Sequence, residues 1–212
     1  MIRHLGKLSA SLLAALLLAI FASTPASAQE FHAEISNPTL SASAAGANTI
    51  FNLGGKTVEC GNSAYQGSAS TTTASSWTLS SAYQGCVVAG FIALINGGGC
   101  SFVLSAGTES GDFRLACPSG GSYAFVATAF GTTVCVVRIK PQASGTPVTI
   151  TNSGSGSSRD VTFAASLTNL EYSEDAGGVC KFGSGSNGTL EGGSPTLKGF
   201  NGSNVQIGVW RA

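Results

Sequence analysis

The chain has 212 residues, a formal net charge of zero and only 9% charged residues, with 29 Gly, six Cys, two His and one Met. Neutrality excludes the basic footprint that nucleic acid requires and electrostatic docking on an anionic membrane. Low charge with many small residues suggests disorder, but disorder pairs low hydrophobicity with high net charge, and 43% of this chain is hydrophobic.

The first element is a leader. Arg3, His4 and Lys7 form a basic start, Leu12 to Phe21 an apolar run of ten residues, and Ala26-Ser27-Ala28 a small-x-small site. This order predicts a secretory signal peptide over 1–28, cut after Ala28. The apolar run is shorter than the roughly 20 residues a membrane span needs, so no span is expected after cleavage. The expected mature part is 29–212, a single β domain with eight basic and ten acidic residues, and His32 is its only histidine. A chain of that length buries about 70% of its unfolded surface, so no metal or cofactor is needed to hold it together.

The following segments alternate with a period of two. Phe31, Ala33 and Ile35 open the series, followed by Thr49, Phe51 and Leu53, and by Trp77 and Leu79. Phe113, Leu115 and Cys117 continue it, then Val161 to Leu167, and last Val205, Ile207 and Val209. Such alternation gives each strand one apolar face. Cys86 to Ile95 and Tyr123 to Phe130 are apolar on both faces and read as central strands, with a bulge at Gly90 in the first. Gly-rich turns separate the segments, among them Gly54-Gly55, Asn96 to Gly99 and Asn201-Gly202. No segment after the leader has a 3.6-residue period. The expectation is an all-β fold, a two-sheet antiparallel sandwich first and a closed β-barrel as the alternative. Ser63-Ala64-Tyr65-Gln66-Gly67 recurs as Ser81-Ala82-Tyr83-Gln84-Gly85. With no third copy this is no solenoid, and two similar strand ends explain it.

Cys60, Cys86, Cys100, Cys117, Cys135 and Cys180 all lie in the expected mature part, and their even number in an exported chain predicts three disulfides. No C-x-x-C pair is present to suggest zinc. Six cysteines allow 15 connectivities. If Cys100–Ser105 and Asp112–Cys117 form a hairpin with Ser105 opposite Asp112, Cys100 falls opposite Cys117. Their Cα atoms would then be about 4.5 Å apart, within disulfide reach.

Several short motifs surround these cysteines: Tyr83-Gln84-Gly85-Cys86, Gly99-Cys100, Ala116-Cys117-Pro118 and Thr133-Val134-Cys135. With the leader, Gly199-Phe200 and Val205-Gln206-Ile207-Gly208, they resemble a group of uncharacterised exported β-rich, cysteine-containing proteins of soil actinobacteria. The resemblance implies export and a style of fold, and no activity.

Little in the chain carries chemistry. His32 stands four residues into the expected mature chain, on the polar face of its strand, where a solvated histidine is the expectation. Triad catalysis needs a histidine placed as base. Glycoside hydrolysis needs only two carboxylates. Glu171, Glu174 and Asp175 are the densest acids and the catalytic candidates, with Glu109 and Asp112 behind them. Their plainer reading is a charged turn ending a strand over Val161–Leu170. Calcium ligand spacing is absent. Trp77 and Trp210 read as packing residues rather than sugar platforms. The leading expectation is an exported, non-catalytic protein with a cell-surface, matrix or binding role, secreted or surface-held. Its partner would be a cell-wall or extracellular glycan or a protein. The alternatives are a secreted carboxylate-dependent carbohydrate-active hydrolase, and a surface-assembly subunit that donates Phe31 to Ile35 as an exchanged strand.

Overall fold

A computed structural model of the chain describes residues 29–44, 48–107, 110–154, 159–175 and 179–211. The expected leader over 1–28 and the acid Glu109 lie outside these residues. Strands account for all the regular structure among the described residues, and no helix there is long and apolar enough to cross a membrane.

The strands in the first third are β1 (Gln29–Ala33), β2 (Thr39–Ser43), β3 (Thr49–Leu53), β4 (Lys56–Cys60), β5 (Asn62–Ser68), β6 (Thr73–Ala74) and β7 (Ser76–Gln84). Next come β8 (Cys86–Val88), β9 (Phe91–Asn96), β10 (Ser101–Ser105), β11 (Gly111–Ala116), β12 (Tyr123–Ala129) and β13 (Thr132–Ile139). The last are β14 (Thr146–Val148), β15 (Ile150–Ser153), β16 (Asp160–Phe163), β17 (Ser166–Asp175), β18 (Ser184–Glu191), β19 (Thr196–Phe200), β20 (Asn204–Val205) and β21 (Ile207–Arg211).

The fold is all-β and antiparallel, as the alternation predicts. One sheet closes into an eight-stranded barrel in the order β12-β13-β17-β18-β3-β4-β8-β9. Closure removes the free edges on which chains aggregate. A second sheet runs β14-β11-β10-β7-β5-β2-β19-β16-β15, with β20 on β19. Its end strands β14 and β15 are separated in the chain only by Thr149, so this sheet also curls almost shut. A small sheet, β21-β1-β6, joins the first and last of the described strands.

Barrels of this size are filled by their own side chains. Phe51 and Phe125 meet edge to face inside the closed barrel, with centroids 4.8 Å apart. Inside the curled sheet Tyr65 packs edge-on against Phe102, Phe113 and Phe163. The buried side chains of both sheets form one contiguous core.

The pairing of β10 with β11 is the predicted hairpin, with Ser105 opposite Asp112. It brings Cys100 and Cys117 to a Cα separation of 4.0 Å, bridged. The other disulfides are Cys60–Cys86 and Cys135–Cys180. Trp77 is core, stacked on Phe31 at 4.2 Å.

Three local expectations are corrected. Cys86 to Ile95 is a hairpin, not a central strand. Gly90, at φ +86°, sits in its turn rather than a bulge, and Val87, Ile92 and Leu94 face outward uncovered. The stretch from Val161 to Leu170 is two strands in different sheets, β16 in the curled sheet and β17 in the barrel. The acids Glu171 to Asp175 do not end a strand in a turn, because they lie within β17.

Candidate functional site

A groove of about 570 Å3 lies beneath the segment Pro141–Pro147, where the chain passes from the barrel to the curled sheet. The opposite wall is Thr168, Asn169 and Glu171 of β17, with Ser186 of β18.

Pro141 opens the connection, which is neither strand nor helix as far as Gly145, while Pro147 falls within β14, an end strand of its sheet where a missing N–H is tolerated. Gln142 fixes the connection to both sheets. Its backbone N–H donates to the Leu115 carbonyl at 2.9 Å, and its side-chain oxygen accepts from the Leu115 N–H at 3.2 Å. Its side-chain nitrogen donates to the Thr168 carbonyl at 2.8 Å. The Thr168 N–H donates to the Thr146 hydroxyl at 2.9 Å, and the Lys140 N–H to the Glu171 carbonyl at 2.9 Å. These bonds hold both walls of the groove in place before any ligand arrives.

The β17 wall is shaped by a break in the ladder. Its register against β18 shifts between Leu167 and Leu170, and Asn169 adopts φ 56°. Asn tolerates this left-handed conformation better than most residues. The extra residue changes which side chains face inward: Leu167 is buried, then Leu170 and Tyr172. Bulges of this kind commonly re-aim side chains beside binding sites. Here Thr168 and Asn169 turn toward the groove.

The candidate acids are not gathered. Glu171 lines the groove and pairs with Lys140, both about half exposed. Asp175 lies four residues farther along the strand, about 13 Å away at the backbone. It pairs with Arg138, which also donates to the Ser122 hydroxyl at 3.3 Å. Glu174 faces the other way, and one carboxylate oxygen accepts the N–H groups of Phe182 at 2.6 Å and Gly183 at 3.3 Å. Glu174 thus anchors the chain beside the Cys135–Cys180 disulfide, and the sulfurs its carboxylate approaches are already bonded to each other. Asp112 is exposed on β11 with its side chain against Gly145, and it does not line the groove. Of the candidate acids among the described residues, Glu171 alone lines the groove.

His32 departs from a simple solvated histidine. Its ring stacks on Trp210 at 4.2 Å and 13°, while the Arg159 guanidinium lies over the same indole, 5.5 Å from its centroid. Pairing of β1 with β21 sets His32 opposite Gly208, and the indole fills the space left by that missing side chain. The His32 Nε2 is buried with no hydrogen-bond partner. Asn152 clasps the same strand, donating to the Val209 carbonyl at 2.7 Å and accepting its N–H at 2.8 Å. His32, Trp210 and Arg159 therefore seal the seam between β1 and β21, and the indole's neighbours are the chain's own groups.

No family model, curated protein or solved structure matches the chain. The groove residues Gln142, Thr168, Asn169 and Ser186 were not singled out by sequence reasoning. One signal for them existed: apolar positions run on odd numbers to Leu167 and on even numbers from Leu170.

Proposed function

We propose that this is an exported, non-catalytic β protein that binds a glycan in the groove beneath Pro141–Pro147. The carrying observation is the groove's chemistry: hydroxyls, amides and prolyl rings surround one carboxylate whose charge Lys140 offsets. Such a lining offers many directed hydrogen bonds and little net charge, which suits a neutral, polyhydroxylated ligand. The walls are fixed by the Gln142 and Thr168 hydrogen bonds, so little order remains to be imposed on binding. Three disulfides fit a protein exported to an oxidising compartment.

Hydrolysis by paired carboxylates needs a second acid roughly 5–10 Å from the first. Glu174 is committed to backbone N–H groups, and Asp175 to Arg138 well along the strand. The strand-exchange reading loses its donor, because β1 is paired on both edges, with β21 and with β6. The test is an array of soluble glycans and cell-wall polymers probed with the oxidised protein. Retention of at least one polymer, without release of reducing ends, is expected. Release of reducing ends that depends on Glu171 would replace this reading with the hydrolase.

A further inference from the structure

In an Asn-Gly pair the backbone nitrogen of glycine can reach the asparagine side chain, because no Cβ blocks the approach. The chain has three such pairs, Asn96-Gly97, Asn187-Gly188 and Asn201-Gly202. The fold holds two of them still and leaves the third free.

Asn96 ends β9 opposite Ala124, and its side-chain oxygen accepts the Gly98 N–H at 3.0 Å. The Gly97 carbonyl accepts the Cys100 N–H at 2.7 Å, beside the Cys100–Cys117 bridge. Asn187 lies within β18, and Gly188 is buried opposite Leu170. A Cβ at Gly188 would meet the Leu53 side chain at 2.7 Å and the Leu170 carbonyl at 3.0 Å, so the close-packed peptide there has no room to turn. Asn201 and Gly202 stand instead in the loop of the β19–β20 hairpin, which closes at Phe200 opposite Asn204. Both are exposed, Gly202 has φ 75°, and nothing lies within 4 Å of the position a Cβ would take there.

We propose that Asn201 is a self-modification site, converted through a cyclic imide to aspartate and isoaspartate. The Gly202 backbone nitrogen gives its proton to solvent base and bonds to the side-chain carbonyl carbon of Asn201. The bond from that carbon to the side-chain nitrogen breaks, and the nitrogen leaves as ammonia. Water then opens the ring at either carbonyl. Opening on the side-chain carbonyl restores the original backbone with an aspartate. Opening on the backbone carbonyl leaves the chain running through the former side chain, as isoaspartate. The balance is water in and ammonia out, with nothing oxidised or reduced. The product carries a new carboxylate in a loop of only Asn201, Gly202 and Ser203. The inference does not involve the groove.

The test is ageing of the oxidised protein at mildly alkaline pH, beside the reduced and denatured chain, until the denatured chain has largely reacted. Cleavage after Lys56, Arg114, Lys181, Lys198 and Arg211 puts the three asparagines on separate peptides. Each site is compared with its own rate in the denatured chain. Asn201 should keep that rate in the folded protein, while Asn96 and Asn187 fall about tenfold or more, because each must wait for local opening. Isoaspartate should accompany aspartate at position 201, and Asn201→Gln should remove the early acidic species seen on ion exchange. An Asn201 slowed on folding as much as Asn96 or Asn187 overturns the proposal. Aspartate without isoaspartate at position 201 would mean direct hydrolysis and overturns the ring-forming route.

Discussion

Tyr65 and Tyr83 bring their hydroxyl oxygens to 3.3 Å inside the protein, and they hold equivalent places in the two Ser-Ala-Tyr-Gln-Gly copies. The copies pair antiparallel, Ser63 with Tyr83, Ala64 with Ala82 and Tyr65 with Ser81. A local two-fold axis therefore runs between the two alanines. One tyrosine enters the curled sheet among Phe102, Phe113 and Phe163, and the other meets Phe51 and Tyr123. The repeat is a structural joint between the two sheets, and Ser81 extends it with a 3.0 Å hydrogen bond to Tyr123.

That joint makes stability fall in alkali. Burial pushes the Tyr65 phenol up to about 12, partly offset by its hydrogen bond with Tyr83. Burial also raises Tyr83, helped by the repulsion of Tyr65 and Tyr123, and raises Tyr123. The folded values lie above the unfolded value near 10, so the unfolded chain releases these protons first. The stabilisation is complete below about pH 10 and is lost as pH rises toward 12. Phenolate absorbance should show these three tyrosines silent until the fold opens, and denaturant midpoints should drop over the same interval. Ionisation of all the tyrosines near pH 10, with the fold intact, would contradict the joint.

Of the three disulfides, Cys135–Cys180 closes the longest loop, 45 residues against 26 and 17. Chain entropy assigns it roughly 4 kcal/mol and the Cys100–Cys117 bridge roughly 3. Replacing each pair by serine and comparing denaturant midpoints should give that order. Peptide mapping of the oxidised chain should recover these three pairs and no others.

The three neighbouring acids should behave differently on substitution. Glu174→Ala strips two backbone N–H groups of their acceptor and should cost about 2 kcal/mol. Asp175→Ala breaks an exposed pair and should cost less than about 1 kcal/mol. Glu171→Gln should leave stability nearly unchanged and weaken glycan retention. Thermal melts and binding of the three variants provide the check. Equal effects on binding would mean that the acids act as one group.

Gly208→Ala places a methyl group where the Trp210 ring lies. The indole must then leave His32. A red shift of tryptophan emission and a modest loss of stability are expected, with glycan retention untouched. Loss of retention would move the ligand to the seam between β1 and β21.

Local chemistry was legible in the sequence wherever it was short-range. The alternation placed Phe51, Leu79, Phe113 and Ile207 in the core, and hairpin geometry alone paired Cys100 with Cys117. What failed depends on distant partners. The two-sided apolar run from Cys86 to Ile95 implied cover on both faces, yet Val87, Ile92 and Leu94 stand exposed on the outside of the closed barrel. His32 looked solvated because its stacking partner Trp210 is 178 residues away, brought alongside by β21. The bulge at Asn169 broke the strand's parity, so Glu171 kept its exposure while Glu174 turned inward.

The central claim is that the groove beneath Pro141–Pro147 is the binding site, and Ser186→Trp tests it most directly. Ser186 is exposed on β18 and lines the groove, so an indole there fills the space without disturbing the core. The measurement is the dissociation constant of wild type and Ser186→Trp for a polymer retained on the array. A weakening of about tenfold or more, with melting unchanged, is predicted for a ligand seated in the pocket. Equal affinity of the two proteins would place the ligand elsewhere and contradict the account.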